Sequence, residues 1–277
     1  MKQIIIFLVL FSAHIFSQDS IPPSWNYSAV TSFNINQVSL TNWAQGGDNL
    51  FAWTIIGNFG AEYKGDKWIS KNSMKLAFGR TKQGDADFRT NDNEFYLENL
   101  LAYNVGWKVD PYFANTVRSS LTDGYDYKNP LAPRIAGFFD PGYITQSLGF
   151  AYNPNANFDT RLGVAFQEVF TNKFRNYSDD PNTTDKVEAF KLDTGLESVT
   201  NAKYNLDVNL VLDSKLRLFT RFNSLDVWDI RWDNTVTAKV SKYINVNLNV
   251  LMLYEKNISP KTQLKQALQL GITYAFL

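Results

Sequence analysis

Glu94 and Glu98 form the first pair in the chain that invites a catalytic reading, two carboxylates of one parity, as a general acid and base would need. In extended chain, four residues separate them by roughly 13 Å, too far for paired acid–base chemistry. Asp85-x-Asp87 and Asp179-Asp180 offer the oxygen ligands a divalent cation takes, but both lie in polar stretches where acids are ordinarily just solvated. Other chemistries lack their residues. The chain has no Cys, and its single His is His14, inside an apolar N-terminal leader. That removes a thiol nucleophile, a disulfide framework, His-ligated zinc and a Ser-His-Asp arrangement together. The expectation is a protein that is not an enzyme and carries no cofactor and no metal.

The charged residues do form a pattern. Lys71, Lys75, Glu94, Glu98, Arg118, Arg217, Asp229, Arg231 and Asp233 each fall on the polar parity of a segment whose other parity is apolar. Arg161, Lys191, Asp193, Glu197, Asp213, Lys215, Lys239 and Lys265 follow the same rule. Signs are mixed, and opposite charges fall on successive segments: Lys71 and Lys75 beside Glu94 and Glu98, then Arg217 near Asp229 or Asp233. Pairing offsets the desolvation of isolated charges. Two outcomes fit: a salt-bridged interior that stiffens a narrow barrel, or a charge-lined path for a small polar solute.

The segments that must position these charges are strands. In 263–277, Leu264, Leu268, Leu270, Ile272, Tyr274 and Phe276 share one parity, broken only by Gln266. Such a two-residue period belongs to a strand with one apolar and one polar face. Twelve segments of this kind follow one another from Tyr27 onward: 27–40, 50–63, 68–81, 94–107, 112–121, 143–152, 158–169, 190–204, 208–218, 228–240, 244–254 and 263–277. The second sets Phe51, Trp53, Ile55 and Phe59 on one face. The fourth aligns Phe95, Leu97, Leu101, Tyr103, Val105 and Trp107. In the eleventh, Val246, Leu248 and Val250 oppose Asn245, Asn247 and Asn249.

Residues 1–17 read as a secretory signal, with Lys2 as the charged start, an apolar run over 4–11 and Ser17 at the cleavage site. That divides the chain into a leader, 1–17, and one β domain, 18–277. Without Lys2 the balance is 26 basic against 27 acidic residues, which gives no argument for nucleic acid as a partner. No later stretch approaches the roughly 18 apolar residues of a spanning helix, so a place in the membrane requires a barrel.

The connections point that way. Short ones (64–67, 108–111, 153–157, 205–206, 241–242) alternate with mostly longer ones (82–93, 122–142, 170–189, 255–262), the rhythm of periplasmic turns and external loops. Aromatic residues edge the short turns: Tyr63 and Trp68, Trp107 and Tyr112, Tyr152 and Phe158, Tyr204 and Tyr243. Rings collected at one rim make a girdle at headgroup level. The fold expected is a single antiparallel transmembrane β-barrel of about twelve strands, with ten or fourteen as alternatives, in the outer membrane and against its lipid.

Two resemblances add to this reading. The spacing Gln269-x-Gly271-x-x-Tyr274-x-Phe276 resembles the closing-strand signal read by the bacterial barrel assembly machinery, which makes that machinery an expected partner. The loop Asn42-Trp43-x-x-Gly46-Gly47-x-Asn49 resembles the signature of a Bacteroidetes outer-membrane family catalogued as domain of unknown function 3078. That family implies a signal peptide and a porin-like β-rich chain but no activity. Physically, Gly46 and Gly47 permit positive φ in a tight turn, which Asn42 and Asn49 can close through side-chain bonds to the backbone. The function expected is a channel or transporter-like barrel for a small polar solute, with the long 122–142 connection as a selectivity loop. The alternative is a closed barrel that displays its external loops without conducting.

Overall fold

The computed structural model describes residues 24–42, 44–180, 183, 185–256 and 259–276. The expected leader, 1–17, and Trp43 of the signature loop lie outside the described residues. The strands are β1 (Ser24–Val38), β2 (Leu50–Lys64), β3 (Trp68–Gln83), β4 (Arg89–Tyr103), β5 (Asp110–Ser119), β6 (Gly124–Tyr125), β7 (Arg134–Ala136), β8 (Gly142–Asn155), β9 (Phe158–Phe170), β10 (Phe190–Asp207), β11 (Leu210–Arg221), β12 (Ser224–Lys239), β13 (Ile244–Tyr254) and β14 (Gln263–Ala275). Twelve of them close an antiparallel barrel in chain order, with β1 beside both β2 and β14; β6 and β7 make a small separate hairpin between β5 and β8.

The two parities of each strand are sorted in the reverse of a water-soluble protein. Leu268, Ile272 and Phe276 are 62%, 57% and 63% exposed, whereas Asn34, Glu197 and Thr220 are all but inaccessible. A soluble sandwich would bury the aromatic parity and solvate the carboxylates. An apolar outside around a polar inside is a lipid-facing barrel. The chain is a membrane-embedded barrel.

Its apolar belt ends in aromatic rings on both rims. At the short-turn end Trp25 stacks with Tyr27 and meets Tyr63, Trp68 meets Tyr103, and Tyr274 lies between Tyr243 and Phe276. At the long-loop end Phe95, Phe138, Phe139, Phe170 and Phe190 form a chain of ring contacts. This second girdle is not visible in the alternation, because Phe138 and Phe139 come from a loop.

Several boundaries differ from the sequence reading. Val105 and Trp107, expected to extend the fourth strand, lie in the turn after β4, and Trp107 is 70% exposed. At its other end β4 starts at Arg89, so part of the expected loop joins the wall. Likewise β11 runs on to Arg221, directly opposite Ser224 of β12, which leaves a two-residue connection at the long-loop end. The closing seam holds from Val30 opposite Ala275 to Ile35 opposite Leu270, and the Phe276 amide continues it onto the Ala29 carbonyl at 2.8 Å.

The signature loop is built as expected at its glycines. Gly46 and Gly47 have φ of +78° and +114°, and Asn42 joins them on the left-handed side at +53°. Asn49 accepts a 2.7 Å bond from the Leu40 amide, closing the loop across its base.

An ionic lumen as the candidate functional site

Inside the barrel the polar parity divides into a filled half and an open half. The filled half follows β8 to β11. Its wall uses small residues, Ser147, Gly149, Ala151, Gly163 and Ala165, and Gly149 stands directly opposite Gly163. A Cβ on Gly163 would meet the Leu148 carbonyl at 2.4 Å and the Tyr112 hydroxyl at 2.6 Å, so the bare backbone is what admits the Tyr112 ring. Over this wall lie ion pairs. Arg161 reaches Glu98 at 2.5 Å, and Lys215 bonds the other oxygen of the same carboxylate. Arg217 pairs with Glu197 at 2.7 Å and donates to Gln167 at 3.0 Å. Arg221 bridges Asp193 and Asp229 at 2.8 and 2.9 Å. Buried charges of this kind are stable only when paired and hydrogen-bonded, and these are.

The open half lies toward β12, β13, β14 and β1 to β3, and it holds two cavities. One, of about 700 Å³, faces the long-loop end and is lined by Asp92, Lys265, Gln269 and loop residues Tyr125, Tyr127, Ala136 and Tyr177. The other, of about 790 Å³, faces the short-turn end, with Asn245, Asn247, Thr273, Lys239 and Lys242 on its wall. Among the described residues β9 lines neither cavity, and β10 contributes only Lys203. The open volume is therefore displaced away from β9 and β10.

The two cavities share Lys75, Glu94, Arg118, Tyr143, Arg231, Asp233, Asn249 and Ile56 as lining. All eight come from strands, so the partition between the cavities is made of side chains. Its straps cross the barrel. Glu94 on β4 and Arg231 on β12 are 2.5 Å apart, although five strands separate β4 from β12 in either direction. Arg118 on β5 reaches Glu255, just beyond β13, at 3.2 Å. Lys75 on β3 joins both systems of charge, 3.0 Å from Glu94 and 3.7 Å from Asp233. Arg118 also lies over the Tyr143 ring, 4.7 Å from its centroid.

The 122–142 connection covers part of the long-loop mouth. Its Tyr127 hydroxyl accepts the Thr90 amide at 3.1 Å, and Arg89 stacks on the ring. Asp140 fastens the base of this connection to the next loop, accepting the amides of Asn172 at 2.9 Å and Lys173 at 2.8 Å. Burial pushes the Asp140 carboxyl up, but bonds from the amides of Asn172, Lys173 and Phe174 outweigh it and hold the group below its ordinary value.

All nine charges expected in the lumen are on the lumen parity, but some expected pairs are not made. Lys75 takes Glu94 as foreseen; Lys71 does not meet Glu98 and lies 3.8 Å from Asp159 instead. Arg217 pairs with neither Asp229 nor Asp233. It sits directly opposite Arg231 in the β11–β12 register, and the two guanidiniums turn to different carboxylates. Asp229 belongs to Arg221, a residue the sequence reading left outside its strand. Glu255 was missed for the same reason, since it follows the last alternating residue of β13. Among the described residues no group of three or more acids, His or Cys converges to hold a metal.

The signature loop, β2, β3, β4 and β5 all lie in one matched segment. Residues 35–125 match the family model described as "Protein of unknown function (DUF3078)". The resemblance expected from the Asn42–Asn49 loop thus holds over that segment, and DUF3078 brings no activity with it. No curated protein matches the chain. Among solved structures, the COG4313 outer membrane channel from Pseudomonas putida F1 is similar at 12% identity, over 95% of this chain and 99% of that one, with a TM-score of 0.41. The translocator domain of the autotransporter NalP from Neisseria meningitidis is similar at 10% identity, over 90% and 88%, with a TM-score of 0.38. The CymD monoaromatic hydrocarbon channel gives 10% identity over 90% and 87%, with a TM-score of 0.33. The membrane-embedded barrel stands on the apolar exterior described above, not on these likenesses.

Proposed function

We propose that the protein is an outer-membrane channel for a small polar solute, with a path displaced away from β9 and β10 and interrupted midway by a partition of ion-paired side chains. The observation that carries this reading is the shared wall of the two cavities. Two polar chambers facing opposite ends, separated by side chains from seven strands, need only rotamer changes to communicate. Short turns then face the periplasm and long loops the exterior. The 122–142 loop, lining the outer cavity, is placed to select what enters. In this reading the C-terminal strand, with Gln269, Gly271, Tyr274 and Phe276, is the element handed to the assembly machinery, and the chain performs no catalysis.

The filled half of the lumen is the one observation that favours the alternative, a rigid barrel that displays its loops. Planar-bilayer recording separates the two. The refolded barrel is expected to show a small, stable conductance. Glu94→Gln, which removes the charge holding Arg231 and Lys75, is expected to raise that conductance, because the charge-assisted bonds that hold the partition closed give way to weaker neutral ones. A folded barrel silent in both forms would sink the channel and leave the display barrel.

A further inference from the structure

The two cavities differ in uncancelled charge. On the long-loop side every charged lining residue is already in an ion pair: Lys75, Glu94, Arg231 and Asp233 with one another, Arg118 with Glu255, and Lys265 with Asp92 at 2.9 Å. On the short-turn side Lys203, Lys239 and Lys242 line the cavity, and among the described residues none of them forms an ion pair. Among the described residues, Asp213 is the one lining carboxylate there without an ion pair, and it faces Lys203 across the β10–β11 ladder. Lys239 stands opposite neutral Asn245, and Lys242 lies over the Tyr243 ring. Three cations against one carboxylate leave this chamber positive, and all three lysines are exposed, so their field reaches anions at its mouth.

We propose that the short-turn cavity is a binding chamber for a small oxyanion, drawn in by Lys203, Lys239 and Lys242. Lysine suits this task, as a flexible point charge with three donors that follows a mobile anion. Asn245, whose side-chain amide donates one N–H to the Thr273 hydroxyl at 2.8 Å, has a second N–H as a neutral donor along the same wall. The inference deepens the channel reading by making the cargo anionic. It rests on that reading only for cargo status, since binding itself needs no conduction.

Inorganic phosphate is the probe, titrated against the refolded full-length barrel in detergent at low ionic strength and followed by phosphorus NMR line broadening. Low salt matters because exposed charges are screened within about 10 Å at 0.1 M. Saturable broadening is expected, weakened about tenfold or more in a Lys203→Gln/Lys239→Gln/Lys242→Gln variant, a loss at the low end of what a cleft of one net sign contributes. Among the described residues these lysines hold no ion pair, and the heat-shifted gel mobility of folded barrels checks folding of the variant. Absence of saturable binding, or binding unchanged in the variant, overturns the proposal. Bilayer recording of the same preparations keeps the two readings apart. Phosphate binding without conductance would defeat the channel alone; conductance without phosphate binding would defeat the oxyanion chamber alone.

Discussion

Glu98→Ala tests whether the filled half of the lumen is a dry ionic core. Glu98 is 8% exposed and is shared by Arg161, itself 6% exposed, and by Lys215. Deleting the carboxylate leaves two like charges facing the same space. Removing one partner of a buried pair costs about 3–5 kcal/mol. The two cations are not equally stranded. Lys215 keeps the Tyr96 hydroxyl at 2.9 Å and lies over that ring, whereas among the described residues Arg161 pairs with Glu98 alone and its buried Nε has no partner. The loss is therefore expected near the lower end, about 3 kcal/mol. Reversible urea unfolding of the barrel in lipid vesicles measures it, as a lower midpoint at unchanged slope. A Glu98→Leu/Arg161→Met/Lys215→Met variant is the control. Since buried triads are often replaced by apolar groups without loss, it should regain most of the stability. A loss below about 1 kcal/mol for Glu98→Ala would mean that water reaches the cluster, as it does surface pairs, and would refute the dry core.

Two further outcomes follow from the loops and the small-residue wall. Gly163→Ala puts a methyl 2.4 Å from the Leu148 carbonyl, so the same unfolding assay should show a loss of about 1–3 kcal/mol from overpacking; a change of less than a few tenths would contradict the close approach. For Asp140, the folded carboxyl is held below its ordinary value, so its contribution is present above the unfolded pKa of about 3.9 and fades only as pH falls through the lower folded value. Limited proteolysis should find the 172–180 segment protected from neutral pH down to about 4, with the protection fading below it. In Asp140→Ala the segment should be cut readily at neutral pH, and equal protection of the two proteins there would contradict the role given to the carboxylate.

The fold was legible because the information it needs is local. Leu264, Leu268 and Ile272 against Lys265, Gln269 and Gly271 fix a face within one strand, and antiparallel neighbours follow from short connections. The same logic placed Lys75 beside Glu94, one hairpin apart. It fails across the lumen, where distance depends on how strand tilt and stagger close the barrel. Nothing within one segment says that Arg231 will face Glu94 from the far wall, or that Arg118 will meet Glu255. The signature loop shows the local half of that division, since Gly46 and Gly47 announced their positive φ and Asn49 the bond that closes the loop.

One cross-lumen fact was nonetheless within reach. Small residues on the lumen parity of β8 and β9, from Ser147 and Gly149 through Gly163 and Ala165, mark a wall that large side chains must lean against, since a packed interior leaves few voids. Bulky Tyr112, Arg161 and Arg217 fill that side. On β12 and β13 the lumen parity instead carries Thr235, Thr237, Asn247 and Asn249, which bond one another along the wall: Thr235 donates to Asn249 at 2.9 Å and Thr237 to Asn247 at 3.0 Å. Side chains that satisfy their neighbours along the wall do not need to cross the barrel. The open volume lies away from β9 and β10 because Tyr112, Arg161 and Arg217 fill the small-residue side, whereas Thr235, Thr237, Asn247 and Asn249 stay along their own wall and leave the crossing to Arg231 and Asp233.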